Sequence, residues 1–341
     1  MARYFGFYKN VRCSKTTFLW LLALPVFLVL VLTNPVWAEE QAHLAQWVAD
    51  FKKEALTRGI SPGILDQAFE DFEPIAQVIE LDRDQPEFKL SLDQYLSRVV
   101  RKSRVDKGRD MLSRHRSLLA EVYQRYGVQP RFLVALWGIE TTFGLTSGTF
   151  PVIHAIATLA HDGRRSTYFR KELIQALRIV DKGHISLGTM RGSWAGAMGQ
   201  LQFMPSTFHD FAVDFAGDAR IDIWDDLGDA FASAANYLSR LGWSTGHRWG
   251  REVRLPPSFD RDMIGLETQK RLSEWQRLGV RRVGGEDLPK RPDLFGSILQ
   301  PGGKGGRAFV VYENFRVILA WNKSDYFALA VGILADQIVG R

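Results

Sequence analysis

Cysteine is almost absent: Cys13 is the single one in 341 residues. It lies before an apolar run near the N-terminus. It is therefore not a lipid-attachment cysteine at a new terminus, and a chain processed past it has neither disulfides nor thiol chemistry. No HExxH occurs, and His154, His161, His184 and His209 show no metal spacing. A GxSxG nucleophile elbow, a phosphate loop and internal repeats are likewise missing. Those absences exclude several large enzyme classes, and no cofactor is expected.

Acidic residues are missing from positions 1–38, which hold Arg3, Lys9, Arg12 and Lys15. Much of the net charge of +6 therefore sits in a leader; without it 40 basic residues face 38 acidic ones. That balance argues against nucleic acid as a partner, which wants a concentrated basic surface. The basic leader precedes fifteen apolar residues, Phe18 to Leu32. Asn34-Pro35 breaks the run, and Val36-Trp37-Ala38 offers small residues where a signal peptidase reads. The expectation is export to a bacterial periplasm, with cleavage after Ala38. An uncleaved anchor is the alternative; the run is shorter than the ~20 residues that span a bilayer, and Pro25 interrupts it.

The remaining chain has an ordinary globular composition, 46% hydrophobic and 24% charged. Residues 41–128 read as helices. Leu44, Trp47, Val48, Phe51 and Ala55 recur at helical spacing, and Gly59 stops that run. Ser61-Pro62 starts a short helix, Gln85-Pro86 is a break, and Leu92–Val100 and Val105–Tyr126 are helical again, the second with an Arg-rich, solvated face. Gly127-Val128-Gln129-Pro130 opens a helix that Gly144 and Gly148 end. Pro151–Leu159, Tyr168–Asp181, Ala230–Leu241 and Tyr326–Val339 are further helices, and 183–206 is glycine-rich loop. Val253, Leu255, Ile298, Phe309–Tyr312 and Val317-Ile318-Leu319 look strand-like, with a flexible turn at Gly302–Gly306. The expected fold class is α+β, mainly α. Its parts are a leader (1–38), a helical region (39–130), a core (131–246), a small inserted β lobe (247–313) and a segment rejoining the core (314–341).

Charge is scarcest from Phe132 to His161, thirty positions with one charged residue, Glu140. Glutamate is almost never buried unless paired, and this run holds no Lys or Arg. Such surroundings predict a carboxyl that keeps its proton more tightly than in water. A neutral, proton-donating Glu beside a cleft is what a breaking glycosidic bond needs. A buried Glu bonded to backbone or to a tyrosine is the plain alternative.

A second block runs from Ser193 through Trp194, Gly196-Ala197-Met198-Gly199-Gln200-Leu201-Gln202-Phe203 to Ser206. Uncharged hydrogen-bonding groups (Ser193, Gln200, Gln202) among flat apolar faces are the mixture that binds sugars, though for this block taken alone a tightly packed helix–helix turn is the favoured reading. The acidic stretch Asp214, Asp218, Asp222, Asp225, Asp226 and Asp229 fails as an EF-hand, with Ala216 at loop position three and Ala219 at six. Helix capping explains it better, Asp225 or Asp226 suiting the N-cap of the helix through Tyr237. Arg164-Arg165, after His161-Asp162-Gly163, is either a solvated turn or a pair meeting a substrate carboxylate.

Four ordered pieces over residues 40–340 resemble the lytic murein transglycosylase B family of bacterial cell-wall enzymes: Gly138–Gly144, Gly196–Ser206, Ala235–Leu238, and Asn314-Phe315 through Trp321-Asn322-Lys323-Ser324. The resemblance implies a goose-lysozyme-like catalytic core and a peptidoglycan substrate. Residue by residue it makes Glu140 the single acid/base. Ser193 and Gln202 would line the adjoining subsite, with Tyr237 and Asn322 as polar groups of the cleft and Tyr95 as a cleft aromatic. Arg164 and Arg165 would meet the peptide or lactyl carboxylate of muramic acid. The calcium loop of some members is eroded here, so no metal is expected. The chain would act as a monomer on glycan strands, in loose association with the membrane or with cell-wall synthesis proteins.

Hydrolases of the usual kind need a second carboxylate. No Asp or Glu lies between Arg191 and His209, and Glu140 is alone in the first block. The expected route is therefore attack by the muramic C6 hydroxyl, giving a 1,6-anhydro sugar. Two alternatives stay open: a muramidase-type hydrolase using Asp210 or Asp214 as base, and a non-catalytic murein-binding protein.

Overall fold

In the computed structural model, residues 35–84 and 90–340 are described, with side chains from residue 39 onward. The leader's apolar run and the Gln85-Pro86 break lie outside the described residues. The chain divides into Met1–Ala45 and Gln46–Arg341. The first helix, α1 (Pro35–Thr57), begins at Pro35 and runs through Ala38.

The stripe read on α1 is seen in the second unit: Phe51 and Ala55 are fully buried, and Trp47 stacks on Phe51 at 5.6 Å. Gly59, at φ +83°, ends the run with a conformation that costs side-chain-bearing residues energy. Then come α2 (Pro62–Phe69), α3 (Ala76–Arg83) and α4 (Leu92–Val99), the last opened by a capping box between Ser91 and Gln94. The expected single helix over 105–126 is two, α5 (Lys102–Arg114) and α6 (Arg116–Tyr126). They part at His115, whose ring packs edge-on against Trp137 at 5.8 Å, a tertiary contact that local periodicity does not record.

The helix carrying Glu140 is α7 (Pro130–Thr141), with Pro130 in its first turn. Phe132, Leu133, Val134, Ala135 and Leu136 are all fully buried, so the helix is buried nearly all round. Each large side chain so buried stabilises by about 1.5–3 kcal/mol. Helix α14 (Asp325–Ile338) and α5 pack on it. α8 (Val152–Asp162) and α9 (Ser166–Asp181) pack on each other. A two-stranded pair, β1 (Phe150–Pro151) with β2 (Arg191–Gly192), brings the chain after α7 beside the glycine-rich block. Helices α10 (Pro205–Phe211) and α11 (Leu227–Arg240) follow; Asp226 caps α11 by accepting from the N–H groups of Gly228 and Asp229.

The β lobe is a five-stranded antiparallel sheet of β3 (Gly250–Arg254), β4 (Gly265–Arg271), β5 (Arg281–Arg282), β6 (Phe295–Leu299) and β7 (Ala308–Val311), in the order β4-β6-β7-β3-β5. A short helix, α12 (Leu272–Arg277), supplies Trp275, fully buried against Ile298 and Val310 in a core of the lobe's own. The expected turn at Gly302–Gly306 does join β6 to β7. The strand read at Val317-Ile318-Leu319 is instead part of α13 (Glu313–Trp321). Three adjacent aliphatic residues have no period of their own; Phe315 and Ile318 bury one helical face. Among the described residues no single helix is long and apolar enough to cross a membrane.

Candidate active site

Helix α7 stops one residue after Glu140, and it stops hard. Thr142, Phe143 and Gly144 follow in succession at φ +52°, +60° and +83°. Left-handed backbone costs a non-glycine residue roughly 1–2 kcal/mol, and such residues cluster where function holds them. Here packing holds them. The Phe143 ring folds back over Gly138, where a Cβ would lie 2.6 Å from the ring. It also meets Trp137 edge-on at 5.6 Å. The Thr141 hydroxyl donates to the Gln200 carbonyl at 2.8 Å and accepts from the Gly144 N–H at 3.0 Å. The reversal leaves Glu140 at the helix end, half-buried rather than enclosed.

The Glu140 carboxyl meets an indole. Trp321 Nε1, at the end of α13, donates to Oε1 at 2.8 Å. The same indole packs against Tyr237 at 5.2 Å and Phe203 at 5.4 Å, and Phe211 stacks on Tyr237 at 4.3 Å. Five elements thus converge: the end of α7, the glycine-rich block, α10, α11 and the α13–α14 elbow. Tyr237 donates its hydroxyl proton to the Ala320 carbonyl at 3.2 Å, and burial pushes its phenol above the ordinary range. Asn322 follows Trp321 and is exposed, its N–H capping α13 on Ile318. Spacing gave no hint of Trp321, 181 positions from its partner; it appears only inside the last of the matching pieces.

The glycine-rich block folds as a compact double turn. Ser193 Oγ accepts from the Ala197 N–H at 3.0 Å, and Met198 bridges to both Gly192 and Phe203. Gln202, at φ +53°, donates through Nε2 to the carbonyls of Ser147 at 3.0 Å and Gly199 at 3.1 Å. Ser193 and Gln202 are both half-buried. Gln200, read as one of the sugar-binding groups, is held inward: its Oε1 accepts from Trp137 and its Nε2 donates to the Trp224 carbonyl, each at 2.7 Å.

Two sequence-predicted contributions have other immediate partners. Arg164 and Arg165 both close on Asp82 of α3, which is 2% exposed. Arg164 Nε donates to Oδ2 and Nη2 to the Asp82 carbonyl, both at 2.7 Å; Arg165 Nη2 donates to Oδ1. The arginine side chains remain 51% and 42% exposed. Tyr95 packs on Tyr326 of α14, ring centres 5.7 Å apart, just past the elbow that carries Trp321.

The acidic segment is tied internally. Asp214 accepts from the N–H groups of Gly217, Asp218 and Ala219; burial pushes its carboxyl up, and the three amides outweigh that and hold it below the usual range. Asp229 accepts from Phe215 and Asp222, both at 2.7 Å, and burial raises its pKa. Arg220 pairs with Asp222 at 2.5 Å and donates to the His184 carbonyl at 3.1 Å. A separate groove of about 460 Å³, lined by Arg109, Leu112, Arg116, Arg131 and Ile338, contains none of the candidate residues.

A lone carboxyl ending a buried helix, in a mainly helical core with small antiparallel sheets, is an arrangement that comparison with known proteins places. The sequence pattern described as the transglycosylase SLT domain matches residues 43–336. The chain belongs to that family. The membrane-bound lytic murein transglycosylase B of Escherichia coli (strain K12) is 30% identical over 258 residues, 72% of this chain and 66% of that relative; the chain spans about 66% of that relative's length. Among solved structures, SltB3 from Pseudomonas aeruginosa in complex with NAG-anhNAM-pentapeptide is 45% identical, covering 87% of this chain and 80% of that one, with a TM-score of 0.84. The Escherichia coli lytic transglycosylase Slt35 in complex with calcium is 27% identical, covering 86% and 92%, at a TM-score of 0.74. The expected lysozyme-like, mainly α fold agrees with these neighbours. Calcium does not fit the donors of the acidic segment here. Ala216 and Ala219 offer no side-chain oxygen, Asp214 is occupied by backbone amides, and the Arg220 guanidinium already brings a cation.

Proposed function

We propose that this chain is an exported lytic transglycosylase acting on peptidoglycan, cleaving the MurNAc-GlcNAc β-1,4 bond with Glu140 as acid and then base. Glu140 protonates the leaving oxygen as the C1–O bond breaks. The sugar's 2-acetamido group or the site's dipoles support the cationic centre. The ionised carboxylate then takes the proton of the muramic C6 hydroxyl as that oxygen bonds to C1. No water enters, and the product carries a 1,6-anhydro ring. Such acid–base help contributes ~10²–10⁴ in rate, and the intramolecular hydroxyl outcompetes water by proximity.

The observation that carries this reading is the Trp321–Glu140 hydrogen bond at 2.8 Å within the Phe203–Tyr237–Trp321 aromatic group. A carboxyl that must be a donor in one step and an acceptor in the next needs a fixed orientation, and an indole N–H favours its ionised form in the second. Ser193 and Gln202 are assigned to the adjoining subsite, Tyr237 and Asn322 to the cleft as polar groups, and Tyr95 to the cleft beyond the elbow. Arg164 and Arg165 are assigned to a substrate carboxylate, with Asp82 orienting them through one edge of each guanidinium. Of the two candidate bases for a hydrolytic route, Asp210 and Asp214, the second is disfavoured, because its two oxygens accept three backbone N–H bonds. A periplasmic location, a monomeric state and loose association with the membrane or with synthesis proteins complete the proposal. The five-part domain division goes with it.

Digestion of purified peptidoglycan followed by mass spectrometry is the test. Anhydro-muropeptides are expected. Products heavier by one water would make the chain a hydrolase, and no products at all would make it a binding protein. Glu140→Gln is expected to keep the fold and glycan binding while losing turnover; a variant as active as the parent would remove Glu140 from this role.

A further inference from the structure

Gln200 bonds to two residues of α7 that bracket Glu140, Trp137 three positions before it and Thr141 just after. Trp137 and Thr141 are one turn apart on α7, with Glu140 between them in sequence. Trp137 Nε1 donates to Gln200 Oε1 at 2.7 Å, and Thr141 Oγ1 donates to the Gln200 carbonyl at 2.8 Å. On its other side Gln200 reaches the acidic segment. Its Nε2 donates to the Trp224 carbonyl at 2.7 Å and its N–H to the Ile223 carbonyl at 2.8 Å. The amide is also seated closely, since a Cβ on Gly144 would fall 2.5 Å from Gln200 Oε1. One residue therefore links the last turn of α7, the reversal after it and the carbonyls of Ile223 and Trp224.

That far anchor is itself tied by several bonds. Asp222 Oδ1 accepts from the N–H groups of Trp224 and Asp225, both at 2.9 Å. The Asp222 N–H is held by Asp229, and its carboxylate by Arg220. Protein side chains and amides thus set the position of Ile223 and Trp224.

We infer that Gln200 is a positioning residue for Glu140. It transmits the geometry of the internally tied acidic segment to the carboxyl, so that the indole of Trp321 and the scissile bond are met in one orientation. A ligand-binding role for its amide conflicts with the bonds it already makes to Trp137 and Trp224. The inference rests on the reading that Glu140 is catalytic, and it adds that the orientation of Glu140 depends on both ends of the Gln200 amide. A displacement of about 1 Å at a reacting group lowers rate by up to about a hundredfold.

Two variants of the full chain test it. Gln200→Met keeps the length and removes both amide bonds. Its kcat is expected to fall about tenfold to a hundredfold with KM within about threefold, on a protein whose circular dichroism matches the parent. Gln200→Glu keeps the acceptor for Trp137 but, when ionised, loses the donor to the Trp224 carbonyl. Protonation restores that donor, so its activity relative to the parent should rise as pH falls, whereas the ratio for the Met variant stays flat. The indole ¹⁵N–¹H resonance of Trp321, assigned by its loss in Trp321→Phe, should move in Gln200→Met. Parental kcat in the Met variant, an unmoved Trp321 resonance, or a pH-independent ratio for the Glu variant would each overturn the inference. Absence of anhydro products from the parent would instead remove the functional reading, and the Trp321 resonance would still report whether Gln200 sets the carboxyl.

Discussion

Trp321 Nε1 lies 2.8 Å from Glu140 Oε1 and joins α13 to the end of α7. The bond ties the segment after the β lobe to the carboxyl in the middle of the chain. A hydrogen bond to a charged group contributes about 1.5–3 kcal/mol. Trp321→Phe keeps most of the ring packed on Phe203 and Tyr237 and deletes only the donor. Its kcat on glycan strands is expected to fall about tenfold to a hundredfold, with a melting temperature a few degrees below the parent. A Phe variant with parental kcat would show that the bond does not serve the reaction.

Asp82 is 2% exposed and faces both Arg164 and Arg165. Removing the cations from a buried carboxylate is costly, about 3–5 kcal/mol for a fully buried pair. The arginines are half exposed, so solvent screening lowers the expected loss to about 1–3 kcal/mol. Arg164→Ala with Arg165→Ala should melt several degrees below the parent, and adding Asp82→Asn should recover part of the loss. If the third substitution is neutral in that background, the ion pairs do not stabilise the fold. A rise in KM for peptide-bearing strands with kcat unchanged is the expected signature of the assigned carboxylate contact.

Much of this architecture was legible in the chain because the signals were local. The α1 stripe ending at Gly59, a helix cap at Asp225 or Asp226 and the turn at Gly302–Gly306 each rest on a few adjacent residues. Glu140 stood out because charge is missing around it. What was illegible depends on distance. The α5–α6 break falls at His115, whose ring meets Trp137, and the helix through Val317 and Ile318 buries one face in the core. Trp321 and the inward role of Gln200 are contacts between remote segments, which no spacing rule encodes. The two arginines were visible as a pair, but Asp82, 82 positions before the first, was not.

The acidic segment should be indifferent to calcium. A site filled at a hundred times its dissociation constant stabilises by about 2.7 kcal/mol, which is several degrees in a protein of this size. With Asp214 held by three amides and Arg220 paired to Asp222, melting curves in millimolar calcium and in chelator are expected to coincide. A calcium-dependent rise of several degrees would show that the loop rearranges to bind the ion. Arg220→Ala should lower the melting temperature under both conditions, because it leaves Asp222 without its cation.

Stability should fall as the solution becomes mildly acidic, and His184 is the group to watch. The Ile221 N–H donates to its Nδ1 at 3.1 Å, which requires that nitrogen to be unprotonated. Burial, then the charges of Lys182 and Arg220, hold its pKa below the ordinary 6.5, against an opposing pull from Asp229. His209, lowered first by burial and then by Lys182 and Arg178, shares a small cavity with it. A lowered histidine pKa means the unfolded chain binds protons first. The stabilisation is therefore complete above about pH 6.5 and is lost as pH falls toward the depressed folded values. Melting temperatures measured from pH 8 to pH 5 should be level and then decline below about 6.5. His184→Gln keeps an acceptor for Ile221 and cannot titrate, so its decline should be shallower; a variant that declines as steeply as the parent would move the effect to other groups.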